Sequence, residues 1–373
     1  MSFVPPPYPY ERLDEIREVA ALHDGGVIDC SIGTPVDAPP SNVVAELAKA
    51  TGARGYPTSA GSAPLRGSIA GWLQRTFGVA ISPDDIGVCV GTKEFVASLS
   101  SYLHLRTPER DTVLYPEISY PTYAMGAALA GLRAVAVGVG ERGMDVSTIS
   151  KSDAERALVL WSNAPSNPSG ALDDFAAIAA WGRKNDVMVA SDECYAEFVW
   201  NGKPQSILQH GTGGVLAVHS VSKRSNLAGL RAGFYAGDPE IVAYLKSVRQ
   251  HAGLMVAAPV QSAVAVAYED DNHVLEQRER YRARLEILVT ALRAVGYEVS
   301  MPDGTFYLWI TKAGLDGWGI ARELAQASGL LVSPGDIYGE AGSDHARIAV
   351  VQPDDLIRIA ASRIVQNVNP SSL

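Results

Sequence analysis

The sequence predicts an α/β protein: a large domain built on a mostly parallel sheet covered by helices, and a small α/β domain. Three observations predict it. Short β-rich runs alternate with helical patterns from about residue 40 to about residue 265. Those runs are apolar almost throughout, as in strands buried on both faces, and do not alternate as in a half-exposed sheet. Beyond them a long charged helix is followed by a fresh set of strands and helices. A chain of 373 residues is also too long for one small core.

The elements follow in order. An opening arm reaches about Asp37, with an amphipathic stretch over Glu11 to His23 and then the apolar Val27-Ile28-Asp29-Cys30. Strands are expected at 86–90, 112–115, 133–137, 157–161, 187–190 and 215–218. The most apolar stretch, Ala124 to Gly140, is broken by Arg133 and reads as helix plus strand, not as a membrane span. A charged helix is expected over 273–295, then strands at 297–301, 306–310 and 346–351. The implied division is an arm, 1–40, that joins the small domain; a large domain, 41–265; and a connecting helix with the small domain, 266–373.

Bulk properties exclude several functions. A net charge of −10, with no Lys/Arg run, argues against nucleic acid. Cys30, Cys89 and Cys194 are widely spaced, which suits a reducing cytosol, and none pairs with histidines at metal-ligand spacing. The proline-rich Met1 to Tyr10 has no basic-then-apolar signal pattern. The expectation is a soluble cytoplasmic protein without a metal.

Ligands of open α/β sheets bind beyond the C-terminal ends of strands, and polar residues collect there repeatedly. Trp161 leads into Ser162-Asn163-Ala164-Pro165-Ser166-Asn167, Ala190 into Ser191-Asp192-Glu193-Cys194-Tyr195, and Val90 into Gly91-Thr92-Lys93-Glu94, which opens a helix able to receive a phosphate. Val218 leads into His219-Ser220-Val221-Ser222-Lys223-Arg224, with Arg231 eight positions after Lys223 between Gly229 and Gly233. A lysine among hydroxyls, beside an arginine flanked by glycines, suits an aldehyde cofactor held as a Schiff base next to an anionic group. Two other motifs fail. Gly138-Val139-Gly140-Glu141-Arg142-Gly143 matches the dinucleotide pattern but lacks an apolar helix after it. Ser220-Val221-Ser222-Lys223 matches a penicillin-recognising motif whose companion Ser-Asp-Asn and Lys-Thr-Gly are missing.

The lysine segment resembles that of fold-type I, pyridoxal-phosphate-dependent aminotransferases, and the likeness to class I/II members runs over nearly the whole chain. Pyridoxal 5′-phosphate needs an amine for its aldehyde, a carboxylate for its pyridine nitrogen, donors for its phenolic oxygen and a phosphate cup. Lys223 is the amine and the base that moves the α-proton; Asp192 is the carboxylate; Asn167 and Tyr195 serve the phenolic oxygen. Gly91, Thr92, Lys93, Ser220, Ser222 and Arg231 form the cup. The resemblance further implies that Tyr120 stacks on the ring and that Gly33 lines the substrate site with Asn167. Arg347 is expected to clamp the substrate carboxylate, and Tyr56 to reach the phosphate of a partner subunit, which makes the protein a homodimer. Ser169 departs from the threonine of many members.

Within the family, the stretches 33–37, 91–94, 191–195 and 248–256 resemble short-form succinyldiaminopimelate aminotransferases. This implies transfer between glutamate and N-succinyl-2-amino-6-oxopimelate, by a ping-pong mechanism. Such substrates carry several carboxylates, for which Lys93, Arg249 and Arg224 are candidate cations. Another amino-acid substrate, or a lyase using the same residues, is the alternative.

Overall fold

The computed structural model describes residues 3–49, 54–140 and 142–367. Its main sheet has seven strands: β1 (Ile86–Cys89), β2 (Thr112–Pro116), β3 (Arg133–Val137), β4 (Ala157–Asn163), β5 (Met188–Asp192), β6 (Val215–Ser220) and β7 (Gly233–Gly237). Their order across the sheet is β1-β7-β6-β5-β4-β2-β3. The pairings among β6, β5, β4, β2 and β3 are parallel, while β7 runs antiparallel to both neighbours. β7 was not expected from the sequence, because Gly-Phe-Tyr-Ala-Gly is short and its terminal glycines dilute the strand signal.

Successive residues of each strand enter different cores. Leu114, Leu160, Val189, Ala217 and Phe234 join Trp72 and Phe175 on one face. Their neighbours Val113, Val159, Ala190, Leu216 and Tyr235 join Phe95 and Leu245 on the other. The two-residue period of a strand thus feeds two apolar faces, which is why the runs read as continuously apolar. Each fully buried side chain of this size contributes roughly 1.5–3 kcal/mol.

A further cluster unites the two ends of the chain. Ile16 and Ala20, from the helix Asp14–Ala21, pack with Leu324, Ile348, Ile357 and Ile364. Ile28–Asp29 pairs in parallel with Leu330–Leu331. A three-stranded antiparallel sheet, β8 (Tyr307–Ile310), β9 (Ser333–Pro334) and β10 (Ala346–Ala349), has the order β8-β10-β9. The charged helix spans Asn272–Ala294. The strand expected at 297–301 is absent: only an isolated bridge joins Glu298 to Thr311, because the chain turns at Gly296 and Pro302 breaks any continuation. The dinucleotide-like glycines form an antiparallel pair, Val139–Gly140 with Gly143–Met144, not a strand-to-helix turn. Among the described residues no helix is long and apolar enough to cross a membrane, and the three cysteines are free thiols.

Candidate active site

Parallel pairing aligns the polar ends of three strands. Asn163, the last residue of β4, stands opposite Asp192, the last of β5, and Asp192 stands opposite Val218, two residues before the end of β6. Beyond these ends lies a cavity of about 430 Å³. Gly33, Thr92, Lys93, Tyr120, Asn167, Asp192, Tyr195, Ser220, Ser222, Lys223, Arg231 and Arg347 all line it. They come from positions up to 314 residues apart in sequence (347 − 33).

Lys223 sits in the short helix Val221–Arg224, directly after β6. Ser220 caps that helix, its Oγ accepting from the Ser222 N–H at 3.0 Å and donating to the Ser222 hydroxyl at 2.8 Å. The Lys223 ammonium donates to the Gly33 carbonyl. Loss of hydration in the cavity lowers its pKa to about 8, so its neutral form is accessible near neutrality.

Asp192 is 7% exposed. Its Oδ2 accepts from the Tyr123 hydroxyl at 2.9 Å, its Oδ1 accepts from the Cys194 N–H at 3.2 Å, and its carbonyl accepts from Asn163 Nδ2 at 2.9 Å. Burial raises the carboxyl pKa, against the bonds from Cys194 and Tyr123 that hold it down. Among the described residues no lysine, arginine or histidine forms an ion pair with it. A buried carboxylate on a cavity wall without a counter-ion suits a cationic ligand group.

At the other wall, Arg347 in β10 is 1% exposed. Its Nη1 donates to Asn167 Oδ1 at 2.6 Å and its Nη2 to the Ser31 carbonyl at 2.5 Å, both neutral acceptors. Its Nε is buried without a partner. The guanidinium carbon lies 4.1 Å from the Tyr307 ring centre and 4.7 Å from that of Tyr338. The Tyr307 hydroxyl also meets the Tyr195 hydroxyl at 2.8 Å. Gly33 is required beside it, since a Cβ there would overlap the Tyr307 hydroxyl.

The third wall is the N-terminus of the helix Thr92–Arg106. Its N-cap is Gly91, at φ +78°, and no side chain caps the free N–H groups. Gly91 lies against Arg231, whose guanidinium a Cβ at Gly91 would overlap. Arg231 adopts a left-handed backbone (φ 51°, ψ 54°) and donates to the Ala228 carbonyl at 2.9 Å. Lys93 donates to the Tyr8 hydroxyl at 3.2 Å. Tyr120 is half-buried, edge-on to Tyr123 at 6.1 Å.

One expectation fails. Arg249 and Arg224 do not line the cavity, because each is consumed in a buried ion pair, with Glu94 and Glu197 respectively. Tyr56, expected at the cavity of a partner subunit, is 98% exposed and does not line this chain's own cavity. Sequence reasoning missed Tyr8, Tyr10, Tyr123, Asn163 and Tyr307. Tyr123, three residues beyond Tyr120, and Asn163, at the end of β4, carried a positional signal. Tyr8, Tyr10 and Tyr307 arrive from remote elements and carried none.

The arrangement fits pyridoxal phosphate: an amine of lowered pKa, an unpaired buried carboxylate, and an uncapped helix end beside an arginine. The whole-chain comparisons agree. The family model "Aminotransferase class I and II" matches residues 26–364. The 4-dedimethylamino-4-oxo-anhydrotetracycline transaminase of Streptomyces rimosus is 41% identical, with 96% of this chain and 99% of that protein covered. The LL-diaminopimelate aminotransferase of Aquifex aeolicus is 32% identical, with 96% of each covered. The structure of a probable N-succinyldiaminopimelate aminotransferase from Thermus thermophilus superposes with a TM-score of 0.87 at 29% identity, over 96% of this chain and 99% of that one. The chain belongs to the class I and II aminotransferases, enzymes that depend on pyridoxal 5′-phosphate.

Proposed function

We propose that the protein moves an amino group from glutamate to N-succinyl-2-amino-6-oxopimelate, releasing 2-oxoglutarate and N-succinyldiaminopimelate, as a cytoplasmic homodimer. One observation carries the reading. Among the described residues the cavity is lined by four cationic side chains, Lys93, Lys223, Arg231 and Arg347, against one carboxylate, Asp192, in a chain of net charge −10. Arg231 suits the cofactor phosphate, and Arg347, buried without a carboxylate partner, suits the substrate α-carboxylate. Lys93 then remains for a further carboxylate. A substrate with several carboxylates uses these charges; a neutral one leaves them unpaired at a cost. The diaminopimelate-related relative and structure point to the same class of acid.

When bound, the cofactor supplies an electron sink that makes the substrate's α-hydrogen removable. Asp192 would hold the positive charge of the pyridine nitrogen, and Tyr195, steadied by Tyr307, would donate to the phenolic oxygen. Arg347, on the same cavity as Lys223, would hold the substrate α-carboxylate. With the cofactor bound, Nζ of Lys223 would be the base that takes and returns the α-proton. The backbone N–H groups of the helix end at Gly91–Lys93, with Ser220, Ser222 and Arg231, would anchor the phosphate. We assign residues 41–265 to the cofactor domain and both chain ends to the smaller domain that brings Gly33 and Arg347.

A visible spectrum recorded during the two half-reactions tests the reading. Glutamate should bleach the yellow band of the holoenzyme, and N-succinyl-2-amino-6-oxopimelate should restore it. Bleaching without restoration would discard the acceptor while keeping the aminotransferase. Release of pyruvate and ammonia from a cysteine-like substrate, with no keto acceptor, would instead favour a lyase.

A further inference from the structure

Behind the phosphate end of the site, outside the cavity lining, stands a carboxylate that would oppose its ligand. Glu94 stands in the first turn of the helix Thr92–Arg106, three residues after Gly91. A first-turn carboxylate ordinarily stabilises a helix, because it faces the positive end of the dipole. Where the same helix end must receive a phosphate, that charge repels the ligand. Arg249, from the helix Pro239–His251, answers it. Its Nη1 donates to Glu94 Oε1 at 2.9 Å and its Nη2 to Oε2 at 2.7 Å, a bidentate pair in which the arginine side chain is 0% exposed. Glu94 also accepts from the Val90 N–H at 3.3 Å and the Ser98 hydroxyl at 3.0 Å. The guanidinium is steadied by the rings of Phe95 and Tyr235, at 5.4 and 5.8 Å. One carboxylate thus braces the turn entering the helix, and one buried arginine cancels its charge.

We propose that Arg249 is a positioning residue for the cofactor phosphate, acting through Glu94: it neutralises the carboxylate beside the phosphate cup and holds the Val90–Glu94 turn open. The inference rests on reading Gly91–Lys93 and Arg231 as that cup. It separates charge from shape, because Arg249→Met alone leaves Glu94 uncompensated, whereas Glu94→Gln with Arg249→Met removes both charges.

The test is titration of cofactor-free protein with pyridoxal 5′-phosphate and, separately, with pyridoxal, which lacks the phosphate. Arg249→Met should weaken the phosphorylated cofactor roughly five- to thirtyfold, the scale of a charge at a helix N-terminus, and leave pyridoxal unchanged. The double variant should recover to within about threefold of the original, since the two changes are strongly coupled. Arg249→Lys, which keeps the charge, should lose less than Arg249→Met and serves if that variant does not fold. Equal loss for both probes, or a double variant no better than Arg249→Met, would overturn the proposal. Arg231→Gln is the control for the cup. A phosphate-selective loss in Arg231→Gln but not in Arg249→Met overturns the role of Arg249 alone; no such loss in Arg231→Gln overturns the cup and the role together.

Discussion

Lys223 and Asp192 are perturbed by the same cause in opposite senses. Burial penalises the charged form of each, lowering the ammonium pKa to about 8 and raising that of the carboxyl. An aldehyde reacts with the neutral amine, so the rate at which cofactor-free protein takes up pyridoxal phosphate should rise with pH, pass its midpoint near 8 and level off above. Stopped-flow absorbance checks this, and a midpoint near the ordinary lysine value would place Nζ in water. Lys223→Ala should abolish transamination while the phosphate cup still retains cofactor. Asp192→Ala removes the partner of the pyridine cation; losing one member of a buried pair costs roughly 3–5 kcal/mol, or about two to four decades in rate. Steady-state kinetics decide, and unchanged turnover would mean that another acid has the role. That these two residues line the cavity was legible in sequence because one ends and the other closely follows an apolar strand. Their pKa shifts were not, because burial depends on walls supplied by Gly33, Tyr123 and Arg347.

At the scale of elements, the site is assembled from ends. β4, β5 and β6 stop at Asn163, Asp192 and Ser220, and the helix Thr92–Arg106 starts at the cavity. Gly91 makes that start possible. Its positive φ costs a side-chain-bearing residue about 1–3 kcal/mol, and an added Cβ would displace the Arg231 guanidinium. Gly91→Ala should therefore weaken pyridoxal phosphate binding about tenfold or more, with the overall fold retained by circular dichroism. Affinity equal to the original would show that the phosphate sits elsewhere. The strand ends were legible because a run of Val, Leu and Ile that breaks into Ser, Asn and Asp marks where a strand leaves the core. β7 was not, since its glycines hide it, and the strand expected at 297–301 failed because nothing among the described residues pairs with it beyond one bridge.

For the whole molecule, the open question of assembly turns on Tyr56. Tyr56 is 98% exposed in the single chain and so free to meet another surface. If it completes a partner's phosphate cup, subunits carrying Lys223→Ala and Tyr56→Ala, each impaired alone, should regain activity when mixed. Each hybrid dimer then has one site with an intact Lys223 and an intact partner Tyr56. Activity that stays at the level of the separate variants after refolding together would assign Tyr56 to its own chain's surface. Local pattern in the sequence determined the class of fold, the strand-end polar groups and the lysine that lines the cavity, because periodicity and turn chemistry act over a few residues. Only the tertiary structure decided which cations face the cavity. Lys93 and Arg347 do, whereas Arg224 and Arg249 are spent on Glu197 and Glu94. An arginine's partner is fixed by where the helices and sheets bring its neighbours, and those neighbours lie far away in sequence.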